Sequence, residues 1–314
     1  MIKVENLSKS YNEVEAVKSI NFELNDGEIV GFLGANGAGK STTLKVMTGY
    51  LTPTSGHVYV NDLDISNYTH EIQKQIGYLP ELNPLYSEMR VFDLLEFTGN
   101  IRNIRGKAFK NALARVVDQC GLKGVIHKMI SECSKGYKQR IGLACAMIHD
   151  PKILILDEPV TGLDPNQIVE IRNLIKELGT EKLVLMSSHI LQEIQATVNR
   201  IIIINKGEIV ADGTNEELMS SFVGNTKLTL ETQNADEESI KALSDKIPNL
   251  KIINSQKTTN SHILNLEYAK DLDPRVELFQ YAIESNWIIT EMSPQSVNLE
   301  SIFRNLTMEE NINA

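Results

Sequence analysis

Apolar and polar positions alternate from the first residues. Ile2-Lys3-Val4 and Ile20-Asn21-Phe22-Glu23-Leu24 carry the two-residue period of half-buried strands, and Asn25-Asp26-Gly27 supplies a turn before the apolar run Ile29-Val30-Gly31-Phe32-Leu33. Thr43 to Met47 is compatible with helix, Thr52-Pro53-Thr54-Ser55-Gly56 breaks the chain, and His57-Val58-Tyr59-Val60 resumes alternation before a hairpin turn at Asn61-Asp62. Ile76-Gly77-Tyr78-Leu79 is a short strand that ends, after Pro80, on Glu81. From about Leu82 the period becomes helical. Val91, Leu94, Leu95 and Thr98 share one face, Phe109, Leu113, Val116 and Val117 another, and Ile141 to Ile148 predict a buried helix.

Ile153-Leu154-Ile155-Leu156 predicts a strand buried on both faces. Asp157-Glu158-Pro159 follows, then a turn at Gly162 to Pro165 and a helix through Ile168, Ile171, Leu174, Ile175 and Leu178. Leu183 to Ser187 is another buried strand leading into His189, and Ile201–Ile204 with Ile209-Val210 reads as a hairpin. After a helix and linker over 213–225, strands and helices recur in the order β-α-β-β-α-β: Lys227 to Leu230, the Ile240/Leu243/Ile247 helix, Ile252-Ile253, His262 to Leu266, the Val276/Phe279/Ile283 helix and Trp287 to Ile289. That order fits a ferredoxin-like domain. A final helix is expected from an N-cap at Asn298 and the spacing of Leu299, Ile302, Phe303 and Leu306.

At 314 residues the chain is long for one core, so two domains are expected. A net charge of −10 argues against a nucleic-acid partner, because neutralising phosphates needs a basic face. No apolar run reaches the roughly 18 residues of a spanning helix, and the first residues lack the apolar core of a signal peptide, so the chain is expected in the cytoplasm. Three cysteines without a C-x-x-C spacing suggest neither a disulfide framework nor a zinc site.

Between the strand at 29–33 and its helix stands Gly34-Ala35-Asn36-Gly37-Ala38-Gly39-Lys40-Ser41-Thr42, which matches G-x-x-x-x-G-K-[ST]. In such a loop the glycines let backbone N–H groups wrap phosphate oxygens, the lysine reaches the outer phosphates and the hydroxyl ligates magnesium. A dinucleotide loop needs a third glycine in register, which is absent. Asp157 and Glu158 emerge where ligands bind in open α/β sheets; Asp157 is placed to hold Mg2+ and Glu158 to take a proton from an attacking water. His189, at a third strand end, is a candidate to touch the γ-phosphate or orient that water. Tyr11 is either a packing ring or a stacking platform for a base. Asn205-Lys206-Gly207-Glu208 ends wrongly for a guanine-reading motif and is explained as a turn.

In this order, Tyr11, the phosphate loop, Glu81, Ser134 to Arg140, the carboxylate pair, the Gly162–Pro165 turn and His189 resemble the motifs of an ABC-transporter ATPase subunit, over about the first 220 residues. The resemblance implies an α/β P-loop ATPase domain over 1–222, with a mixed sheet core, an antiparallel β subdomain and a helical subdomain at about 82–150; the ferredoxin-like α+β domain then occupies 223–314. It implies that Tyr11 stacks on adenine, that Gly34, Asn36, Gly37, Gly39, Lys40, Ser41 and Thr42 bind the nucleotide, and that Ser41, Glu81 and Asp157 meet the metal. It further implies Glu158, His189 and Lys40 as catalytic, Asp164 in the D-loop, and Ser134 with Gly136 completing the site of a second copy in a head-to-tail homodimer. A separate transmembrane permease docks on the helical subdomain in this reading, with the chain on the inner face of the membrane. The closest texture is that of the exporter branch, including ATPases of the gliding-motility type.

Two motifs depart from the family pattern. The usual Leu-Ser-Gly-Gly-Gln signature is Cys133-Ser134-Lys135-Gly136-Tyr137, and the usual Q-loop glutamine is Glu81. They leave a second expectation beside export, a nucleotide-gated scaffold that assembles with a membrane complex and transports nothing. A twin-cassette protein acting on ribosomes or DNA is disfavoured by the single phosphate loop and the acidic charge.

Overall fold

In the computed structural model, which describes residues 1–221, 226–258, 261–269, 272–295 and 299–308, the strands pair into three sheets. The chain divides into two compact units, Met1–Asn215 together with the chain from Asn305, and Glu216–Arg304. The boundary expected at 222/223 lies outside the described residues.

The first unit contains, in chain order, β1 (Ile2–Tyr11), β2 (Val14–Leu24), β3 (Ile29–Leu33), α1 (Lys40–Met47), β4 (Ser55–Val60), β5 (Leu63–Asp64), α2 (Thr69–Gln73), β6 (Ile76–Leu79), α3 (Val91–Ile101), α4 (Gly106–Gln119), α5 (Lys135–Met147), β7 (Ile153–Leu156), α6 (Pro165–Leu178), β8 (Leu183–Ser188), α7 (Leu191–Gln195), β9 (Arg200–Asn205) and β10 (Glu208–Thr214). One sheet is antiparallel, in the order β2-β1-β4-β5. Its first strand is longer than the alternation predicts. Register shifts between Val4 and Lys9 and a positive φ at Asn6 interrupt the two-residue period, so the sequence pattern is lost where the strand continues to Tyr11. The turn read at Asn61-Asp62 has positive φ at both residues, the requirement of a tight two-residue hairpin.

The second sheet runs β10-β9-β3-β8-β7-β6, parallel except for β10. Every side chain of β7 is buried, as its unbroken aliphatic run requires. A core including Phe22, Phe32, Leu44, Met47, Ile155 and Leu185 fills the space between the sheets and α1, each such side chain stabilising the fold by about 1.5–3 kcal/mol. Gly31 lets α7 approach β3, since a Cβ there would collide with Ile194. The helical segment packs α3, α4 and α5 through Val91, Leu95, Val116, Ile141 and Met147, and the Arg115 guanidinium donates to the Met147 and Ile148 carbonyls at the C-terminal end of α5.

The second unit takes up α8 (Asn215–Ser221) from Glu216 onward, then β11 (Thr226–Gln233), α9 (Glu237–Lys246), β12 (Leu250–Lys257), β13 (His262–Tyr268), α10 (Arg275–Glu284) and β14 (Ile288–Gln295), and α11 (Leu299–Met308) ends the described chain. Its antiparallel sheet has the order β12-β13-β11-β14, with the first and third strands central, as a ferredoxin-like arrangement requires. Tyr281 and Trp287 meet edge to face at 5.3 Å, and both donate to Ser239 of α9. The N-cap read at Asn298 lies outside the described residues.

His149, after α5, donates from Nε2 to the Ile76 carbonyl at 3.1 Å, while its Nδ1 is buried without a partner. Burial first, then the Arg102 guanidinium, push its pKa down to about 4. Because the folded value is depressed, its contribution to stability is present above the unfolded value near 6.5 and is lost as pH falls through 4. Urea midpoints measured between pH 7 and 4 are expected to fall more steeply for the wild type than for His149→Gln; parallel curves would refute the assignment.

Candidate active site

Four parallel strands end side by side and deliver the candidate residues to one edge. Leu33 is level with Ser188, Leu156 with Met186 and Leu79 with Leu156, so Gly34, Asp157, His189 and Glu81 all follow the C-terminal ends of their strands. Between β3 and α1 the loop turns through Gly37 and Gly39 at φ 81° and 110°. At Gly39 a Cβ would also stand 2.6 Å from the Ala16 carbonyl, so the position admits only glycine. The N–H groups that open α1 are available to an anion. A cleft of about 550 Å³ lies here, lined by Ala16, Asn36, Gly37, Gly39, Lys40, Ser41, Thr42, Glu81, Glu158, Thr161 and His189.

Lys40 is 6% exposed, and its ammonium donates to the Gly34 and Ala35 carbonyls at 2.8 and 3.2 Å and lies 3.4 Å from Glu158 Oε1. Glu158, also 6% exposed, accepts from Thr161 Oγ1 at 2.8 Å and from His189 Nδ1 at 2.9 Å. With Nδ1 donating, Nε2 is the lone-pair nitrogen of a neutral His189 ring. Glu158 has a φ of 51°, rare for a residue with a Cβ and a mark of strain held by its surroundings. Asp157 Oδ1 accepts from Ser41 Oγ at 3.1 Å and from Ser187 Oγ at 2.7 Å, while its buried Oδ2 has no partner.

That orphaned oxygen beside a serine hydroxyl tests the fit to Mg2+ favourably. Magnesium takes oxygen ligands, uses one or two carboxylates and leaves its other positions to water and phosphate.

Residues 17–161 match the ABC transporter family profile. The linearmycin resistance ATP-binding protein LnrL of Bacillus subtilis is 32% identical over 310 residues, 98% of either chain. The chain belongs to the ABC transporter family, as an ATP-binding subunit. Members of this family hydrolyse ATP, and the chain is accordingly an ATPase. The bacitracin transport ATP-binding protein BcrA of Bacillus licheniformis is 37% identical over 214 residues, covering 68% of this chain and 69% of that one. The dimeric structure of MJ0796, a bacterial ABC transporter cassette, superposes with a TM-score of 0.62 at 26% identity, covering 68% of this chain and 98% of that one.

The remaining ABC motifs fall outside this cleft. Ser134 is the N-cap of α5 and accepts from the Tyr137 N–H; Gly136 is buried, and a Cβ there would collide with Gln167. Asp164 caps α6, accepting from the Asn166 and Gln167 N–H groups ahead of Pro165, so its observed work is structural. Tyr11 ends β1 44% exposed beneath the Lys9 ammonium, 5.6 Å from its ring centroid, and does not line the cleft, whereas Ala16 does.

Three contributors carried no readable signal of their role. Thr161 holds Glu158. Ser187 links the Asp157 carboxylate to the Glu158 backbone, donating to the first and accepting the Glu158 N–H at 2.9 Å. Ser188 donates to Glu193 Oε2 at 2.7 Å and accepts the Ile190 N–H, bracing the backbone around His189. Burial, reinforced by the nearby Glu158 charge, raises the Glu193 pKa against that hydrogen bond. Ser187 and Ser188 are both fully buried at the end of an apolar strand, which is why each must be hydrogen-bonded. Ser187→Ala is expected to lower unfolding free energy by about 1–3 kcal/mol by orphaning the Glu158 N–H, and to lower ATP turnover with it; urea titration and steady-state hydrolysis measure both, and unchanged values would remove Ser187 from the site.

Proposed function

We propose that this chain powers export through a separate transmembrane permease, two copies closing head to tail over two ATP·Mg2+ sites. The observation that carries the reading is that the cleft is half built. Its lining comes from the phosphate loop, the strand ends and their following turns, with Ala16 of β2, while the exposed Ser134 at the head of α5 is not part of it. A second copy is then needed to bring Ser134 and Gly136 to the γ-phosphate. In this reading Tyr11 packs against adenine, Asn36 and Thr42 line the phosphates, and Asp164 meets the partner.

The resting contacts suggest an order of events. Phosphate oxygens compete for Lys40, which leaves Glu158 and releases a carboxylate able to accept a proton from water. His189 keeps Glu158 oriented through Nδ1, with Nε2 free to accept from that water or from a protonated γ-phosphate. Ser41, Asp157 and Glu81 would hold Mg2+, which supplies charge neutralisation at the β- and γ-phosphates.

A second cavity, about 460 Å³, supports a docking site for the permease. It lies between the sheet and the helical segment and is lined by aromatic residues including Tyr50, Tyr78, Tyr86 and Phe97. Tyr86 and Phe97 meet edge to face at 6.0 Å, both exposed. Tyr78 belongs to β6, the strand that leads to Glu81, so groove and cleft share an element. No helix among the described residues is long and apolar enough to cross a membrane, which supports a peripheral position on a membrane partner. Relatives named for linearmycin resistance and bacitracin transport support the export direction.

Glu158→Gln is expected to abolish ATP turnover and to retain ATP-driven dimerisation by size-exclusion chromatography. Wild-type turnover in that variant would sink the role of Glu158, and failure of ATP to produce a dimer would sink head-to-tail closure. Phe97→Glu is expected to lose co-purification with the permease while keeping basal hydrolysis within about twofold, the range of an exposed substitution away from the site; retained co-purification would move the docking site elsewhere.

A further inference from the structure

Two of the departures from the family pattern are charged and opposite in sign. Where the pattern has neutral glutamine and glycine, this chain has Glu81 and Lys135. Glu81 is exposed and lines the cleft, yet makes no ion pair or side-chain hydrogen bond among the described residues. Lys135 is exposed at the head of α5 and likewise makes none; its ammonium rests over Gly162, where a Cβ would collide with it. Arg140, on the same helix, is by contrast committed to Glu170.

The cleft needs a cation. Its lining carboxylates are Glu81 and Glu158, with Asp157 buried behind Ser41, while Lys40 is the one lysine or arginine among its lining residues and already faces Glu158. ATP brings further negative charge. A glutamate in place of glutamine raises that imbalance, and no further lysine or arginine among the described residues lines the cleft to offset it. Lys135 does not line its own cleft. In a head-to-tail dimer the signature of one copy completes the cleft of the other, which carries Lys135 with Ser134 and Gly136.

We propose that Lys135 of one copy is the counter-charge for Glu81 of the other, so that the two departures form one electrostatic pair across the ATP-bound dimer. The inference rests on the head-to-tail reading above. It accounts for both departures together. Glu81 can direct an extra oxygen toward Mg2+ without repelling the triphosphate, because closure delivers a positive charge to the same place. It also makes assembly selective, since like charges facing each other across an interface exclude a partner that opposite charges admit.

Charge reversal in a mixture tests the pair directly. Glu81→Lys and Lys135→Glu are made separately, each on a Glu158→Gln chain so that ATP-bound dimers persist, and tagged chains are mixed with ATP for native mass spectrometry. Each homodimer then sets like charges against each other at both sites, whereas the mixed dimer has one reversed pair and one native pair. Independent effects of the two substitutions cancel in the squared heterodimer population divided by the product of the homodimer populations, which statistics alone hold at about four. The pair is expected to raise that ratio at least about 100-fold. A ratio at the statistical value, or a mixture that stays monomeric while unmodified Glu158→Gln chains dimerise, overturns the pairing and leaves head-to-tail closure standing. Absence of a dimer from the unmodified Glu158→Gln chains overturns the closure itself, and the pairing with it.

Discussion

Lys40 and Glu158 hold each other 3.4 Å apart at the C-terminal edge of a parallel sheet, each almost fully removed from water. Burying two such charges costs several kcal/mol per ion unless the surrounding donors and acceptors are filled. They are filled here, by the Gly34 and Ala35 carbonyls on one side and by Thr161 and His189 on the other. The lysine thus bends back over its own loop and waits on a carboxylate. In the mechanism proposed above, a triphosphate replaces that carboxylate, because its oxygens satisfy the ammonium at least as well and bring more charge.

The rest of the fold maintains that pair. Parallel register sets Leu156 beside Met186 and Leu33 beside Ser188, so that strand pairing aligns the loop, the carboxylates and the histidine that follow. Ser187 ties Asp157 to the Glu158 backbone, whose positive φ would otherwise be hard to hold. Behind them Ser188 and Glu193 brace α7, and Gly31 lets α7 come close enough to do so.

Strand β6 extends this frame to the helical segment. It runs at the edge of the sheet, with Tyr78 in the aromatic groove and Glu81 beyond its end in the cleft. The Tyr78 hydroxyl is buried without a partner, and burial with the nearby Asp157 charge pushes its pKa far up. The proposed docking groove and the nucleotide cleft thus share one strand.

The phosphate loop, the carboxylates after Ile153–Leu156, His189 and the ferredoxin-like order of the second unit were all readable from the chain, because each rests on local spacing that survives any tertiary context. The first strand was readable only to Val4, since bulges erased its period. The partners of the catalytic groups were not readable. Ser187 looks like any serine until parallel pairing brings it to Asp157, thirty positions away, Thr161 shows its role only once the turn after Glu158 folds back on that carboxylate, and the capping of α6 by Asp164 appears only in the folded chain. The identity of the chemistry was thus local in the sequence. Which oxygen of Asp157 stands free, which carboxylate Lys40 faces and where Tyr11 points depended on contacts between distant segments, and only the folded chain decides those.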